Sequence, residues 1–229
     1  MKPKIVVLTG AGISAESGLS TFRDSDGLWE GYNVNDVCTP EAWDRDPELV
    51  QNFYNMIRKS VLKATPNDAH KALVELEKKY RVVIVTQNID DLHERAGSSN
   101  VIHLHGLITQ SRSSIDPSLI YDIEGWELKM GEKCERGSQL RPHVVWFGEP
   151  VPMIERAATE CADAHIFIII GTSLVVYPAA GLIHYVPAGA RKILIDPRVP
   201  SVSGVTGLEV YAEKAGDGVP KVVEKLLDE

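Results

Sequence analysis

Three short stretches of this chain carry groups suited to chemistry. The first is Gly10-Ala11-Gly12-Ile13-Ser14-Ala15-Glu16-Ser17-Gly18, directly after the apolar residues 5–8. The second is Gln87-Asn88-Ile89-Asp90, a polar cluster at the end of the apolar run 81–86. The third is His105-Gly106, closing the short apolar run 101–104. A Gly-x-Gly-x-x-Ala turn between a buried strand and a helix is the dinucleotide fingerprint. Gly10 permits the tight turn, Gly12 lets the backbone approach a pyrophosphate, and Ala15 lets the helix lie close on the strand. The helix start then offers unpaired N–H groups and a positive dipole end to phosphates. Without a ligand, the same glycines make a plain strand-to-helix turn.

Polar side chains at a strand's C-terminal end stand where open parallel sheets bind ligands. A histidine there titrates in the range a general base requires. His105 meets that placement, and His103 stands two residues earlier in the same run. The alternative for His105 is a hydrogen-bonded structural histidine. For the polar cluster it is an Asx turn capping the next helix, chiefly through Asp91. One feature of hydride-transfer enzymes is missing. Their second strand ends in an acidic residue about 20 positions on, whereas residues 21–29 here are polar and turn-rich. A nucleotide binds, but in another layout.

These residues need elements to position them. Thr39 reads as a helix cap with Pro40 at the first helical position. Apolar residues at 49, 50, 53, 56, 57 and 61 predict a helix over 47–64. Another opens at Thr65-Pro66-Asn67-Asp68 and runs to about Tyr80. Strands are predicted at 81–86, 101–104, 144–148, 166–170, 192–195 and 208–212, and helices at 152–163, 178–186 and 218–227. Residues 107–140 have no sustained period. There 111–114 and 131–134 read as loops, so the segment reads as an insertion. At least four apolar strands end in polar or glycine residues, at Thr9-Gly10, Gln87-Asn88, Gly171-Thr172 and Asp196, with helices between them. That predicts an α/β, doubly wound parallel sheet with its ligand along one edge.

The 229 residues are 44% hydrophobic, enough for an ordinary packed core. A net charge of −8 speaks against nucleic acid and anionic membranes and suits a basic partner such as a lysine-bearing peptide. Cys38, Cys134 and Cys161 are too few and too widely spaced for a disulfide framework, so a reducing cytoplasm is expected. The start does not read as a signal peptide. The apolar run 166–170 is far too short to span a bilayer.

Taken together, the motifs resemble those of the sirtuins, NAD-dependent protein-lysine deacylases. Gly10-Ala11-Gly12-Ile13-Ser14 with Phe22-Arg23, Thr86-Gln87-Asn88-Ile89-Asp90, His105-Gly106, Phe147-Gly148-Glu149 and Gly171-Thr172-Ser173 occur in family order across about the whole chain. Residues 19–54 look most like the bacterial class III branch, which includes desuccinylases. The resemblance implies a Rossmann NAD-binding domain (1–30, 73–106 and 141–229) and a smaller module formed by two insertions (31–72 and 107–140). NAD and an acyl-lysine protein or peptide would meet between them. The acyl oxygen would attack the ribose carbon carrying nicotinamide, giving an imidate that the ribose 2′-hydroxyl attacks. Water then yields lysine and O-acyl-ADP-ribose.

The resemblance also assigns roles. His105 would be the base and Asn88 would orient a ribose hydroxyl or water. Asp90 would hold the nicotinamide carboxamide, and Phe22 would screen the reactive carbon. Gly10, Ala11, Gly12, Ser14, Ala15, Glu16, Arg23, Trp29, Gln87, Ile89, Gly171, Thr172, Ser173, Asp196 and Ala215 complete the NAD site. Substrate contacts would come from Tyr54, Ile57, Val145, Phe147, Gly148, Glu149 and Val175, the peptide adding as a strand.

Two departures matter most. The family carries two Cys-x-x-Cys pairs for zinc. Here Arg112-Ser113-Ser114-Ile115 takes the first pair's place, and of the second only Cys134 remains, with Gly137 three residues on. One thiolate cannot build a tetrahedral site, so no zinc is expected. Trp126, Leu128 and Leu140 are then expected to hold the module by packing. Class III members also carry Tyr-x-x-Arg to bind an acidic acyl group. This chain has Ile57 at the arginine position and Arg58 one place late, about 100° round the helix. With Cys38 at the pocket floor, deacetylation or removal of other neutral acyl groups is expected over desuccinylation or demalonylation. Protein ADP-ribosylation and a non-catalytic binding module remain alternatives.

Overall fold

The computed structural model describes residues 2–21, 28–200 and 205–229. The chain order is β1 (Lys4–Thr9), β2 (Leu28–Trp29), β3 (Tyr32–Asn33), α1 (Val34–Val37), α2 (Pro40–Arg45), α3 (Pro47–Lys63), α4 (Asp68–Leu76), β4 (Arg81–Thr86), α5 (Leu92–Ala96) and β5 (Val101–His103). It continues with β6 (Gly106–Ser113), β7 (Ile120–Asp122), β8 (Leu140–Val144), α6 (Ile154–Ala162), β9 (Ile166–Ile170), β10 (Arg191–Ile195), β11 (Leu208–Tyr211) and α7 (Ala215–Asp228). Six strands form one parallel sheet in the order β11-β10-β9-β1-β4-β5.

All of β1 is buried because helices cover both faces of the sheet. Ile5 and Val7 pack with Val82, Ile84, Ile168 and Ile193 beneath α4 and α7. Val6 and Leu8 pack with Val83, Val85, Phe167 and Ile169 beneath α6 and the 3₁₀ helix Ala179–Tyr185. The two-residue period of a strand produces this division. The strand order reverses between β1 and β9, and that switch point opens a crevice at the carboxyl ends of the strands.

Local caps explain the helix starts. Thr39 Oγ1 accepts from Ala42 N, with Pro40 in the first turn. Asp46 Oδ1 accepts from Leu49 N at the head of α3, and Asn67 caps α4 together with His70. The last of these helices stops at Leu76 rather than Tyr80.

The glycine loop differs from expectation. Gly10 is extended, with φ −128° and ψ −172°, and no α-helix follows it. Two 3₁₀ turns, Ala11–Ile13 and Ala15–Ser17, take its place. Glycine is required here for approach. A Cβ on Gly10 would lie 2.8 Å from Gly171 O, and one on Gly12 would lie 2.6 Å from the Gly171 Cα. The loops after β1 and β9 therefore touch backbone to backbone, sealed by Gly12 N donating to Gly171 O at 2.8 Å.

Residues 107–140 also differ. The run 111–114, which reads as a loop, lies mostly within β6, the centre of a three-stranded antiparallel sheet ordered β7-β6-β8. Ser111, Arg112 and Ser113 are buried there although polar, so the strand has no hydrophobic alternation to reveal it. The run 144–148 is strand only at Val144, and residues 147–149 form a turn. The helix expected over 178–186 is the 3₁₀ helix already named, and α7 begins three residues earlier than expected. Among the described residues no helix is long and apolar enough to cross a membrane.

Gly106 joins the two sheets at a φ of +83°, and a Cβ there would lie 2.1 Å from His143 O. Gly106→Ala is expected to destabilise the protein by at least about 2 kcal/mol, from overpacking and backbone strain together. Urea unfolding compared with wild type measures this.

Candidate active site

The carboxyl ends of β1, β4, β9 and β10 border a cleft of about 700 Å³. Its centre is a hydrogen-bonded cluster contributed by two loops. Ser14 Oγ donates to Asp90 Oδ2 at 2.9 Å and accepts from Asn88 Nδ2 at 3.1 Å. Asn88 N donates to Thr86 Oγ1, and Asp90 Oδ1 accepts from Leu92 N. The helix-capping contact that sequence reasoning gave to Asp91 is thus made by Asp90, while Asp91 pairs with Arg95. Burial raises the Asp90 carboxyl above its ordinary range, against the bonds from Leu92 and Ser14.

His105 lines the same cleft. Its Nδ1 lies 2.9 Å from Gln87 O. A carbonyl only accepts, so Nδ1 holds the proton and Nε2 is the basic nitrogen. Burial lowers the pKa of this ring, opposed by the Gln87 contact. His103 behaves oppositely. Burial would lower its pKa too, but the hydrogen bond and charge of Glu94 at 2.7 Å raise it. Two residues apart, the two rings have their pKa values driven in opposite directions, down for His105 and up for His103.

Gln87 Nε2 donates to Thr172 Oγ1 at 2.9 Å, tying the ends of β4 and β9 together. Asp196 is buried at the end of β10 and lines the cleft, as do Ser173 and Ala215. Gly10, Ala11, Ala15, Trp29, Ile89 and Gly171 also line it. Glu16 is there as well, but its carboxylate accepts from Gly216 N at 2.7 Å and caps α7, whose own cap residue Lys214 supplies no side-chain bond. Phe22 and Arg23 lie outside the described residues. Buried hydroxyl, amide and carboxylate groups along a switch-point crevice fit a dinucleotide.

Beside this cluster α3 turns Tyr54, Ile57 and Val61 to the cleft, together with Cys38 and Leu19. Tyr54 is fully buried, accepting from Trp146 Nε1 at 3.1 Å and donating to Cys38 Sγ at 3.5 Å. Burial pushes the Cys38 thiol up to about 11, so it is neutral. Arg58 does not reach the cleft. It is wholly buried, with Nε donating to Ile108 O and Nη1 to Asn55 Oδ1 and Trp126 O. Val145, Phe147, Gly148 and Val175 line the cleft's outer part, with Phe147 and Val175 well exposed. Glu149 lines the cleft as well, and its carboxylate turns inward to Arg112, Arg141 and Trp146 N.

The zinc positions do not fit a metal. Cys134 Sγ lies 3.2 Å from Ser138 Oγ, which lies 2.8 Å from Ser113 Oγ. Leu128, Cys134 and Leu140 pack as a small core. Trp126 stays outside it, half exposed under Lys59.

The sequence profile described as the Sir2 family matches residues 10–178. The chain belongs to the Sir2 family. A protein of Bacteroides thetaiotaomicron called NAD-dependent protein deacylase is 53% identical over 97% of each chain. One of the same name from Helicobacter pylori is 47% identical over 98% of this chain and 97% of its own. A crystal structure of a Sir2 homolog–NAD complex superposes with a TM-score of 0.89 at 39% identity, covering 99% of this chain and 90% of that one. A Sir2–p53 peptide–NAD⁺ complex gives 0.82 at 30% identity, covering 100% and 95%.

Sequence reasoning missed Ser60 and Val61 on the Sir2 cleft's α3 wall. The 54, 57, 61 spacing was the available signal for Val61. It also missed a buried support beneath the glycine loop. His93 Nε2 lies 3.1 Å from Thr9 Oγ1, and the His93 ring meets His70 edge-on at 4.9 Å. His70 bonds Asn67, whose Nδ2 donates to Ile13 O and Ser17 Oγ. Burial lowers the His70 pKa to about 4. The neutral ring's contribution is therefore full above pH 6.5 and lost as pH falls through 4. The loss is on the order of 3 kcal/mol at about 1.4 kcal/mol per pH unit. His70→Gln, which keeps the capping box, should flatten the stability profile between pH 6.5 and 4, measured by denaturant unfolding at each pH.

Proposed function

We propose that this Sir2-family chain is an NAD-dependent protein-lysine deacylase for neutral acyl groups, acetyl among them. The observation that carries this reading is the His105 ring, pinned at Nδ1 by Gln87 O and lining the cleft with Asn88 and Asp90. Bound NAD supplies an activated bond between ribose and nicotinamide. His105 Nε2 takes a proton from the ribose hydroxyls, and low basicity keeps it unprotonated at neutral pH. Asn88, fixed by Ser14 and Thr86, orients a hydroxyl or water through its carbonyl oxygen. Asp90, fixed by Ser14 and Leu92, receives the carboxamide. Asp196 accepts from the adenosine ribose. The relatives' name and the Sir2–peptide complex support acyl-lysine as the other reactant.

The acyl preference rests on α3. Ile57 stands on the cleft wall where the class III clamp has arginine, and Arg58 is committed to three oxygen atoms elsewhere. A carboxylate against Ile57, Val61 and the neutral Cys38 thiol would be desolvated with no cation offered to it by α3. We infer a two-part chain, with residues 1–30, 73–106 and 141–229 carrying NAD and 31–72 with 107–140 as the small module. We infer that this module is metal-free, since Arg112, Ile115 and Gly137 take three of the four thiolate positions and Cys134 bonds Ser138.

Incubation with NAD and acetyl-lysine peptide is expected to release nicotinamide and leave the peptide lighter by one acetyl group. A heavier peptide would instead mean ADP-ribosyl transfer, and no release a binding module. His105→Ala is expected to abolish turnover and leave NAD affinity within about threefold. Ile57→Arg is expected to raise the succinyl-to-acetyl rate ratio about tenfold or more, the worth of one charge-assisted pair. Metal analysis of the purified protein is expected to find no stoichiometric zinc, and a chelator to leave the rate unchanged.

A further inference from the structure

Glu149 closes a turn that faces the cleft. Its N–H donates to Trp146 O at 3.1 Å, and Gly148 at φ +88° takes the position where such a turn demands glycine. Phe147 and Gly148 form the exposed tip. The side chain of Glu149 then curls back, its Oε2 accepting from Trp146 N at 2.8 Å. The same carboxylate takes Arg112 Nη2 at 3.0 Å on both oxygens, and Arg141 Nη1 and Nη2 at 2.7 and 3.1 Å. Arg112 comes from β6 and Arg141 from β8, the strands of the small sheet. Arg141 also donates to Val144 O and lies flat on the Trp146 ring, 3.2 Å from its centre.

Trp146 in turn bonds the Tyr54 hydroxyl through its indole, and Phe147 N donates to Cys38 O at 3.0 Å. A continuous set of contacts thus runs from the small sheet through one carboxylate to the turn and on to the acyl-pocket wall. All three charged side chains are largely out of solvent. The two guanidiniums approach one carboxylate, so removing its charge leaves two buried like charges without a neutralising partner at that point.

We propose that Glu149 is a positioning residue for the acyl-peptide substrate. Held by Arg112 and Arg141, it fixes the 146–149 turn at the distance from the cleft at which an extended peptide pairs with the tip. This deepens the deacylase reading and rests on it. A misplaced turn weakens docking of the peptide, whereas the NAD end of the cleft, built on β1, β4, β9 and β10, is untouched.

The test compares wild type, Glu149→Gln and Leu128→Ala, the last destabilising the small module's core without touching the clamp. Glu149→Gln is expected to raise KM for acetyl-lysine peptide about tenfold, the scale of a displacement near 1 Å, with kcat within about threefold and NAD affinity unchanged. Labelled-peptide anisotropy should show the same loss of affinity. Leu128→Ala, at a comparable fall in Tm, is expected to keep the wild-type KM. An unchanged KM in Glu149→Gln, or an equal rise in Leu128→Ala, overturns the proposal. Hydrogen exchange across residues 145–149, expected to speed up only in Glu149→Gln, needs neither reactant. Wild type failing to bind or turn over acyl peptide would overturn the deacylase reading, and with it the substrate-positioning role. Unchanged exchange in Glu149→Gln would separately refute the clamp.

Discussion

The structure depends on one close approach. The loop after β1 and the loop after β9 meet backbone against backbone, with Gly10 and Gly12 against Gly171. Side chains on any of the three would push the loops apart by more than van der Waals contact allows. The approach lies at the switch point of a parallel sheet, where adjacent crossovers leave in opposite directions and open a crevice. The polar cluster of the cleft is registered against this seam. Ser14 reaches Asn88 and Asp90 from it, and Gln87 reaches Thr172 across it.

A second level of construction keeps unlike groups apart. His105 lines the cleft while His103 pairs with Glu94, and their surroundings drive their pKa values in opposite directions. Glu94 favours the charged form of His103, while burial disfavours it at His105, whose Nδ1 faces the Gln87 carbonyl. A base of this kind needs no titration partner in the cleft. The tautomer is set by the Gln87 carbonyl, and the same residue's side chain fastens Thr172.

In the small module buried polar residues fix positions that its small apolar core does not reach. Arg58 is buried without a carboxylate partner among the described residues and instead binds carbonyls and an amide drawn from β6, from the 126–128 segment and from its own helix. Asn55 adds paired bonds to Leu128 N and O. Such groups are costly to bury unless bonded, and the bonds from Arg58 Nε and Nη1 fix one arrangement, while Nη2 is buried with no hydrogen-bond partner among the described residues. The apolar part of the second insertion is small, centred on Leu128, Cys134 and Leu140.

The sequence alone determined the parallel α/β sheet, because its strands are continuous apolar runs bounded by polar ends. It marked Gln87, Asn88, Asp90 and His105 as strand-end groups facing the cleft, because ligands collect at those ends, and it set the helix starts at Thr39 and within residues 65–68, because caps are local chemistry. It did not disclose β6, where buried Ser111, Arg112 and Ser113 carry no hydrophobic period. Nor did it disclose that Gly10 and Gly12 are needed for contact with Gly171, about 160 positions away along the chain. The directions of Glu16, Arg58 and Glu149 were likewise decided only in three dimensions. Each is a charged side chain whose partner lies on another element, and a partner distant in sequence leaves no local pattern to read.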